Sequence, residues 1–371
     1  MIYFDYTATS KPNEEVLALY QKINADYWSN PSSIYKAGVI TNNLFQKCEK
    51  DILEVLNLQN KKIYFTSGAT EANNLAIYGI CNNYLNQDKN IITTKIEHPS
   101  VMSCFEDLEK KGFKVTYLSV DEKGIINLEE LKQNINNNTI LVSTMWVNNI
   151  VGTIEPIEEV IKIVKQYPRC KLHVDAVQGI GKIKPTFDFN NVDMFTLSSH
   201  KINGLKSSGA LIINNKINLQ GVLKGATQQE GIRPGTIDVA LSAATTKALK
   251  LITASRDKHY IYVKELQKYF REQLKNIPNV LINSSEDASP YILNISILNT
   301  ESETFIHYLE KYEIYVAAGS ACNSKIKKPE KTVYAMFHDE RRAVTSLRIS
   351  LSYVTTKEEI DEFIKRLKEF K

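Results

Sequence analysis

Two side chains in this 371-residue sequence lie where they could hold a carbonyl cofactor. The first is Lys201, which follows the apolar run 194–197 and precedes a loop that contains glycine. The run is typical of a buried strand, and an ammonium group at the end of such a strand must be paired or lose its proton. An uncharged lysine amine is a good nucleophile. Taken alone, however, the segment slightly favours a surface lysine at a strand-to-loop turn.

The second side chain, Asp175, changes this interpretation. It also follows an apolar strand, 26 residues before Lys201, and Gln178 comes three residues later. Pyridoxal phosphate chemistry needs a lysine that forms a Schiff base and a carboxylate that pairs with the pyridinium nitrogen. Alone, Asp175 would be a helix cap or a salt-bridge partner. Together with Lys201, it favours a pyridoxal phosphate site.

Two further strand ends carry groups that suit the same cofactor. Gly68, Ala69 and Thr70 join a strand to a helix, where backbone N–H groups and one hydroxyl could hold a phosphate. Capping by Ser67 or Thr70 explains this motif equally well. His98 follows another strand and could stack on the cofactor ring and move protons near neutral pH. A lone histidine at a strand end is more often structural.

Three residues could serve a substrate. Asn149 lies at another strand end, either as a ligand contact or as part of a turn before a helix. Arg348 lies in a predicted strand, and its planar guanidinium suits bidentate binding of a carboxylate. Cys322 lies among small residues with Lys325 close behind, a setting that favours thiolate, although most free cysteines are buried and inert.

Strand–helix alternation predicts the elements that position these groups. Seven strands are expected, several of them near-continuous apolar runs that suit burial on both faces, at 62–66, 90–95, 114–120, 139–147, 171–174, 194–197 and 210–213. With helices between them, they predict a three-layer α/β/α domain with a mainly parallel sheet. We expect a large cofactor-binding domain over residues 15–255 and a smaller α+β domain over 256–371, with residues 1–14 packed on the smaller one.

Composition excludes several classes of protein. Hydrophobic content of 43% and a net charge of +4 describe an ordinary globular chain, with no warrant for nucleic-acid or membrane binding. The five cysteines are widely spaced without a Cys-x-x-Cys pair, which argues against a disulfide framework or a zinc site. Together with the lack of a visible export signal, this predicts a cytoplasmic protein.

In order, these segments resemble the cysteine desulfurases of the NifS/IscS type, within the class V, fold-type I pyridoxal phosphate enzymes. The resemblance spans nearly the whole chain, through the motifs at 3–9, 67–71, 97–99, 147–149, 173–178, 198–201, 233–236 and 319–322 and through Arg348. Each motif is weak by itself, but nine in sequence are specific. Departures from the usual pattern fall at Tyr6–Thr7, Ile150 and Gln228–Gln229.

The resemblance implies a role for each residue. Lys201 forms the Schiff base with pyridoxal 5'-phosphate, Asp175 binds the pyridine nitrogen, Gln178 binds the phenolic oxygen and His98 stacks on the ring. Cys322 takes the sulfur of L-cysteine as a persulfide, and alanine is released. The remaining implied contacts are Ala69, Thr70, Ser198 and His200 to the phosphate, Thr236 to the phosphate from the other subunit of a homodimer, and Asn149 and Arg348 to the substrate carboxylate.

Other functions stay open at this point. Another class V activity, such as an aminotransferase or a selenocysteine lyase, would need no thiol, and Cys322 speaks against it. A degenerate homologue kept as a binding scaffold is disfavoured by the intact Lys201, Asp175 and His98. The resemblance also implies a protein that accepts the sulfur, either an iron–sulfur scaffold or a tRNA-thiolating enzyme.

Overall fold

The computed structural model describes residues 1–318 and 329–370. Its strands are β1 Ile2–Tyr3, β2 Lys61–Thr66, β3 Asn90–Thr94, β4 Lys114–Leu118, β5 Thr139–Met145, β6 Lys171–Asp175, β7 Met194–Ser198, β8 Gly209–Asn214, β9 Val280–Ile282, β10 Ile292–Ile297, β11 Ile314–Tyr315, β12 Ala317–Ala318 and β13 Ser346–Ser350. Its α-helices are α1 Glu14–Asp26, α2 Lys36–Val55, α3 Ala69–Cys81, α4 Pro99–Lys110, α5 Leu128–Asn134, α6 Ile157–Val164, α7 Val239–Leu274, α8 Ser302–Glu310, α9 Lys331–Phe337, α10 Glu340–Val344 and α11 Lys357–Glu369.

A seven-stranded sheet forms the centre of the fold. Its strand order is β2-β8-β7-β6-β5-β3-β4, and β8 pairs antiparallel with both of its neighbours while the other pairs are parallel. Strands β5 and β7 are buried along their whole length because apolar side chains pack against both faces of the sheet. All seven strands predicted for this sheet form, with ends shifted by two residues at most. The predicted three-layer, mainly parallel architecture is therefore confirmed.

A smaller four-stranded sheet, in the order β12-β13-β10-β9, is antiparallel throughout. The N-terminal segment lies against this part of the chain. Strand β1 pairs parallel with β11, and Asp5 forms an isolated bridge with Ser350. The Phe4 ring packs on Phe270 and Phe363, with ring centroids 6.0 Å away in both cases. These contacts bring residues 2–5 next to β13, which carries Arg348.

Helix α7 differs from the sequence prediction. The charged stretch 258–275 predicts a helix over those residues alone, but the structure has one continuous helix of 36 residues that begins at Val239. Asp238 caps it by accepting a hydrogen bond from the N–H of Leu241 at 2.8 Å. The early part of α7 is rich in Ala and Thr and buried on several sides, so it lacks a clear apolar stripe. The predicted domain boundary at 255 falls inside α7, and the division into two domains stays a prediction.

No helix within residues 1–318 and 329–370 is long and apolar enough to cross a bilayer.

Candidate active site

The carboxyl ends of the parallel strands surround a cavity of about 960 Å³. Residues from the N-terminal segment, from β13 and from the start of α9 close its other side. Ten of the residues predicted from the sequence line this cavity: Ala69, Thr70, His98, Asn149, Asp175, Gln178, Ser198, His200, Lys201 and Arg348. The fold thus brings together side chains that are spread over 280 positions of the sequence.

Lys201 ends a short 3₁₀ turn, Ser199–Lys201, that directly follows β7. Its Nζ donates hydrogen bonds to the backbone oxygens of Thr7 and Ala8, both at 2.6 Å. Burial, followed by the nearby Arg348 cation, lowers the pKa of Lys201 to about 8. Asp5 and Asp175 act in the opposite direction. Because of the lowered pKa, a sizeable fraction of this amine is uncharged near neutral pH, as a nucleophile requires.

Asp175 ends β6, next to β7, and its Cα pairs with that of Thr196. The carboxylate is buried and accepts two hydrogen bonds, from the side-chain amide of Asn73 at 2.9 Å and from the N–H of Val177 at 3.1 Å. These donors fix the direction of the carboxylate. The site therefore holds a fixed negative charge close to Lys201.

Gln178 also lies at this end of the cavity. Its amide nitrogen donates to the Thr7 oxygen at 3.2 Å, and its amide oxygen accepts from the Lys182 ammonium at 3.1 Å. Burial, followed by the charges of Lys201 and Arg348, lowers the pKa of Lys182 to about 7. An ammonium group can only donate, so Lys182 fixes which end of the Gln178 amide carries the oxygen.

His98 is the N-cap of α4, with Pro99 at the first helical position. Its Nδ1 accepts a hydrogen bond from the N–H of Ser100 at 3.1 Å and lies 2.8 Å from the Ser100 hydroxyl. Desolvation is the largest effect on this ring and lowers the pKa of His98. Asp175 raises it, and Lys201 and Arg348 lower it. The ring is therefore neutral at physiological pH.

The start of α3 is suited to an anion. Its N-cap is Gly68, which has φ 144° and no side chain to cap the first N–H groups. A Cβ on Gly209 would lie 2.8 Å from the Gly68 Cα, so a side chain there would push the turn out of place. The Ser198 hydroxyl is buried and has no hydrogen-bond partner in the described residues. A phosphate at this helix terminus would give both the N–H groups and the hydroxyl a partner.

His200 and Arg233 border the same region. The His200 Nδ1 lies 3.2 Å from the Thr9 hydroxyl, and burial lowers the pKa of His200 to about 4, which keeps the ring neutral. Arg233 holds the Glu71 carboxylate with its Nε at 2.8 Å, and the N–H of Ser67 donates to the same carboxylate at 2.6 Å. The loop that carries Arg233 is thus anchored to the first turn of α3.

Arg348, in β13, lines the same cavity. Its Nη2 binds Asp5 at 2.8 Å, and its Nη1 donates to the backbone oxygen of Asn149 at 3.2 Å. Its Nε is buried and has no partner among the described residues. A buried donor without a partner costs free energy, about 1–3 kcal/mol. The guanidinium is held in place by two groups and keeps a donor available for an anionic ligand.

Comparison with known proteins identifies the family. The family described as aminotransferase class-V matches residues 2–363. The chain belongs to the class-V aminotransferase family. A NifS/IcsS protein homolog of Lactobacillus delbrueckii subsp. bulgaricus is 38% identical over 371 residues, which cover 98% of this chain and 95% of that protein. The cysteine desulfurase IscS of Dictyoglomus turgidum is 36% identical over 362 residues, covering 97% and 92%. A solved NifS-like protein has a TM-score of 0.92 at 32% identity, covering 99% and 98%.

Class-V aminotransferases and their cysteine desulfurase members are pyridoxal phosphate enzymes, and the residues of this class-V chain fit that cofactor. The uncapped start of α3 and the partnerless Ser198 hydroxyl suit a phosphate. The fixed Asp175 carboxylate could pair with a protonated ring nitrogen. The lowered pKa of Lys201 favours the uncharged amine, which can attack the carbonyl carbon of the cofactor. All of these groups line one cavity of sufficient size.

Of the predicted site residues that the structure describes, one is not brought to the cavity. Thr236 does not line it in the described part of this class-V chain. Cys322 lies outside the described residues. The four cysteines inside them, Cys48, Cys81, Cys104 and Cys170, are all buried. Burial raises the pKa of each of these thiols, which makes them poor nucleophiles.

Sequence reasoning missed several residues of the site. Asp5 and the backbone oxygens of Thr7 and Ala8 belong to the motif at 3–9, for which the sequence predicts no role in the site. Asn73 and Ser100 were not considered at all. For Ser100 a signal exists, because a hydroxyl two residues after a histidine N-cap faces the ring. For Asn73 the sequence offers none, since its partner Asp175 is 102 residues away.

Proposed function

We propose that the protein converts L-cysteine to L-alanine and transfers the sulfur to Cys322 as a persulfide. The observation that carries this proposal is the arrangement of the cavity. Lys201, Asp175 and an arginine with a partnerless buried donor line the same cavity. An amino acid fits such an arrangement, with its carboxylate on Arg348 and its amino group toward Lys201. Relatives named cysteine desulfurase support cysteine as that amino acid.

Residues at the sheet edge would hold the cofactor. Lys201 would bind its carbonyl carbon, Asp175 its ring nitrogen and Gln178 its phenolic oxygen, while His98 would stack on the ring. When bound, the cofactor withdraws electrons from the carbon that carries the substrate amino group. The proposed phosphate ligands from the same subunit are Ala69, Thr70, Ser198 and His200. The partner subunit's Thr236 is the fifth proposed ligand.

Arg348 and Asn149 would orient the substrate. The partnerless Nε of Arg348 supports this role, because a carboxylate would satisfy it. His98 is neutral in the structure and would move protons between substrate atoms. The proposal for Cys322 is supported by the burial of the four described cysteines. Its thiolate would form a bond to the substrate sulfur while the carbon–sulfur bond breaks, and the carbon would then take up a proton to give alanine.

A homodimer is part of this proposal. Two observations support it: Thr236 does not line the cavity of its own subunit, and an apolar group around the start of α2 faces solvent. Within that group Trp28 is 80% exposed and Ile34 is 97% exposed, which is unusual for side chains of this size. Covering them with a second copy would remove this apolar surface from water.

The sulfur acceptor is the least constrained part of the proposal. A persulfide on Cys322 would be delivered to a partner protein, either an iron–sulfur scaffold or a tRNA-thiolating enzyme. We propose a cytoplasmic location, because a persulfide carrier needs a reducing compartment.

The test uses purified holoprotein, L-cysteine and a thiol reductant, which reduces the persulfide and releases its outer sulfur as sulfide. We expect sulfide and alanine in equal amounts, and we expect a persulfide-trapping reagent to label Cys322. A Cys322→Ser variant should still bind the cofactor and change its visible spectrum with L-cysteine, yet release almost no sulfide. Cys48→Ser is the matched control, because that thiol is buried and should leave sulfide release unchanged.

Two outcomes would overturn the proposal. If Cys322→Ser releases sulfide and alanine as fast as the parent, Cys322 is an ordinary loop cysteine, and a lyase without a protein thiol becomes the better interpretation. A protein that cannot be loaded with pyridoxal phosphate would exclude the whole class of reaction.

A further inference from the structure

A chain of side-chain hydrogen bonds connects the buried carboxylate of Asp175 to the ring of His98. The Asn73 amide nitrogen donates to Asp175 at 2.9 Å and to the Ser100 hydroxyl at 2.9 Å. That hydroxyl lies 2.8 Å from the His98 Nδ1, and the Ser100 N–H donates to the same Nδ1 at 3.1 Å. The two connecting residues are buried, Asn73 completely.

The direction of these bonds follows from the groups themselves. Asp175 is a carboxylate and can only accept, so the Asn73 atom that faces it must be the amide nitrogen. That nitrogen has two hydrogens, and both are used, one on Asp175 and one on Ser100. The Ser100 hydroxyl therefore accepts from Asn73, and its own hydrogen is left for His98.

The backbone N–H of Ser100 also favours a free lone pair on the His98 Nδ1. A hydroxyl can turn its hydrogen, but the Ser100 N–H points in a fixed direction, and it points at the His98 Nδ1. A proton on Nδ1 would face this N–H directly. The neutral ring must then carry its proton on Nε2.

The Asn73 amide oxygen shows that this arrangement has a cost. It is buried and has no hydrogen-bond partner in the described residues. A buried acceptor without a partner is unfavourable, and a residue placed only for packing would not need an amide here. The side chain is held for the sake of its two donor hydrogens.

We infer that Asn73 and Ser100 are positioning residues. They hold His98 as a neutral ring protonated at Nε2 and connect it to Asp175 by hydrogen bonds. This rests on the proposed function only in assigning His98 to the catalytic site. The charged groups that face His98 are Asp175, Lys201 and Arg348. Two cations against one carboxylate act in the same direction as the hydrogen bonds and disfavour a charged ring.

The consequence for the reaction is specific. His98 begins as a hydrogen-bond donor at Nε2, and its lone pair at Nδ1 is covered by Ser100. To take up a proton, the ring must first release its bonds to Ser100. The strength of those bonds therefore sets how readily His98 changes between donor and acceptor during turnover.

The experiment is a ¹⁵N spectrum of the histidine rings in the holoenzyme, with His98→Gln used to assign the His98 signals among the six histidines. We expect the Nε2–H tautomer at neutral pH, with a pKa below the ordinary histidine value. In Ser100→Ala, the pKa of His98 should rise, because Nδ1 loses the hydroxyl contact, while the remaining backbone N–H of residue 100 should keep the Nε2–H tautomer. The value of kcat should fall about three- to tenfold, with KM and cofactor absorption little changed.

Ser103→Ala is the matched control, because Ser103 lies on the same helix and is exposed. It should leave the His98 signals in place. Asn73→Ala should change the His98 signals in the same direction as Ser100→Ala. If that variant does not fold, the wild-type spectrum and Ser100→Ala still decide.

A wild-type His98 protonated at Nδ1 would overturn the inference. So would a Ser100→Ala spectrum in which the pKa of His98 is unchanged. These readouts are independent of sulfide release. A protein that binds pyridoxal phosphate but releases no sulfide would therefore refute the proposed function and leave the tautomer to be judged separately.

Discussion

The residues that line the cavity form two groups, here called the cofactor end (Lys201, Asp175 and His98) and the carboxylate end (Arg348 with Asp5). The two groups are positioned in different ways. At the cofactor end, Lys201, Asp175 and His98 each follow a strand of one sheet, so each is placed by the few residues before it. At the carboxylate end, Arg348 is held by Asp5 and by the backbone of Asn149, which lie 343 and 199 positions away in the sequence. One end depends on local structure, and the other depends on contacts between distant parts of the chain.

The two ends should respond differently to the substitution of single side chains. Strands inside a buried parallel sheet are held on both faces, so the cofactor end should keep its geometry when single side chains change. The carboxylate end depends on an ion pair in which Asp5 is partly exposed, and such pairs contribute little individually. We therefore expect substitutions at the first end to abolish chemistry without disturbing the fold, and those at the second end to change substrate affinity in graded steps.

The largest effect should come from Lys201→Ala. Loss of the amine removes both the covalent attachment of the cofactor and a proton-transfer group, so sulfide release should fall by at least about 10³-fold. Borohydride reduction followed by mass spectrometry should attach the cofactor to residue 201 in the parent only. Lys184→Ala, which changes an exposed lysine, should behave like the parent. Retention of activity in Lys201→Ala would move the nucleophile elsewhere.

Asp175→Ala should weaken cofactor binding by about ten- to a hundredfold, since hydrogen bonds to charged groups contribute about 1.5–3 kcal/mol. Equilibrium titration with pyridoxal phosphate measures this. Circular dichroism should show an intact fold, because the strands hold their positions without this side chain. A normal affinity in the variant would mean that the carboxylate is purely structural.

Arg348→Lys tests the carboxylate end. Lysine keeps the charge but loses the planar fork, so KM for L-cysteine should rise by about 5–150-fold, corresponding to ~1–3 kcal/mol. Binding of pyridoxal phosphate should be unchanged, which separates the two ends. Arg341→Lys is the control, because Arg341 is exposed on α10. An unchanged KM in Arg348→Lys would place the carboxylate site elsewhere.

Asp5→Asn sharpens the same comparison at a smaller scale. Asparagine can still accept the hydrogen bond from Arg348 but carries no charge. We expect KM to rise about two- to fivefold, within the range of a partly exposed ion pair. A fall in KM would show instead that Asp5 competes with the substrate for the guanidinium.

The smallest effect is a pH dependence at the cofactor end. Capture of pyridoxal phosphate by the apoprotein needs the uncharged Lys201 amine, whose pKa burial and Arg348 lower to about 8. The capture rate should rise with pH and level off above about 8, whereas an ordinary lysine would continue to gain uncharged amine up to about pH 10.4. Stopped-flow absorbance measures the rate. In Arg348→Met the midpoint should move upward, because one cation near Lys201 is gone.

Sequence analysis could predict the cofactor end because its signals are local. A run of apolar residues followed by Lys201, Asp175 or His98 contains both the strand and the group that it positions. The pair of Asp5 and Arg348 could not be found in this way, because the residues next to either one in the sequence do not indicate that the two side chains are in contact. The start of α7 was missed for a related reason: Val239 opens a helix whose early turns are buried on several sides, so no amphipathic period appears.

The contacts of the N-terminal segment have a consequence for the order of synthesis. Thr7 and Ala8 leave the ribosome early, yet their partner Lys201 is made more than 190 residues later, and Asp5 must wait 343 residues for Arg348. At ~5–20 residues per second, the second delay lasts roughly 17–70 s. During this time the segment has no native strand beside it. The cavity is therefore completed only when β13 has been made, so capture of the cofactor by the finished site comes at the end of translation or after it.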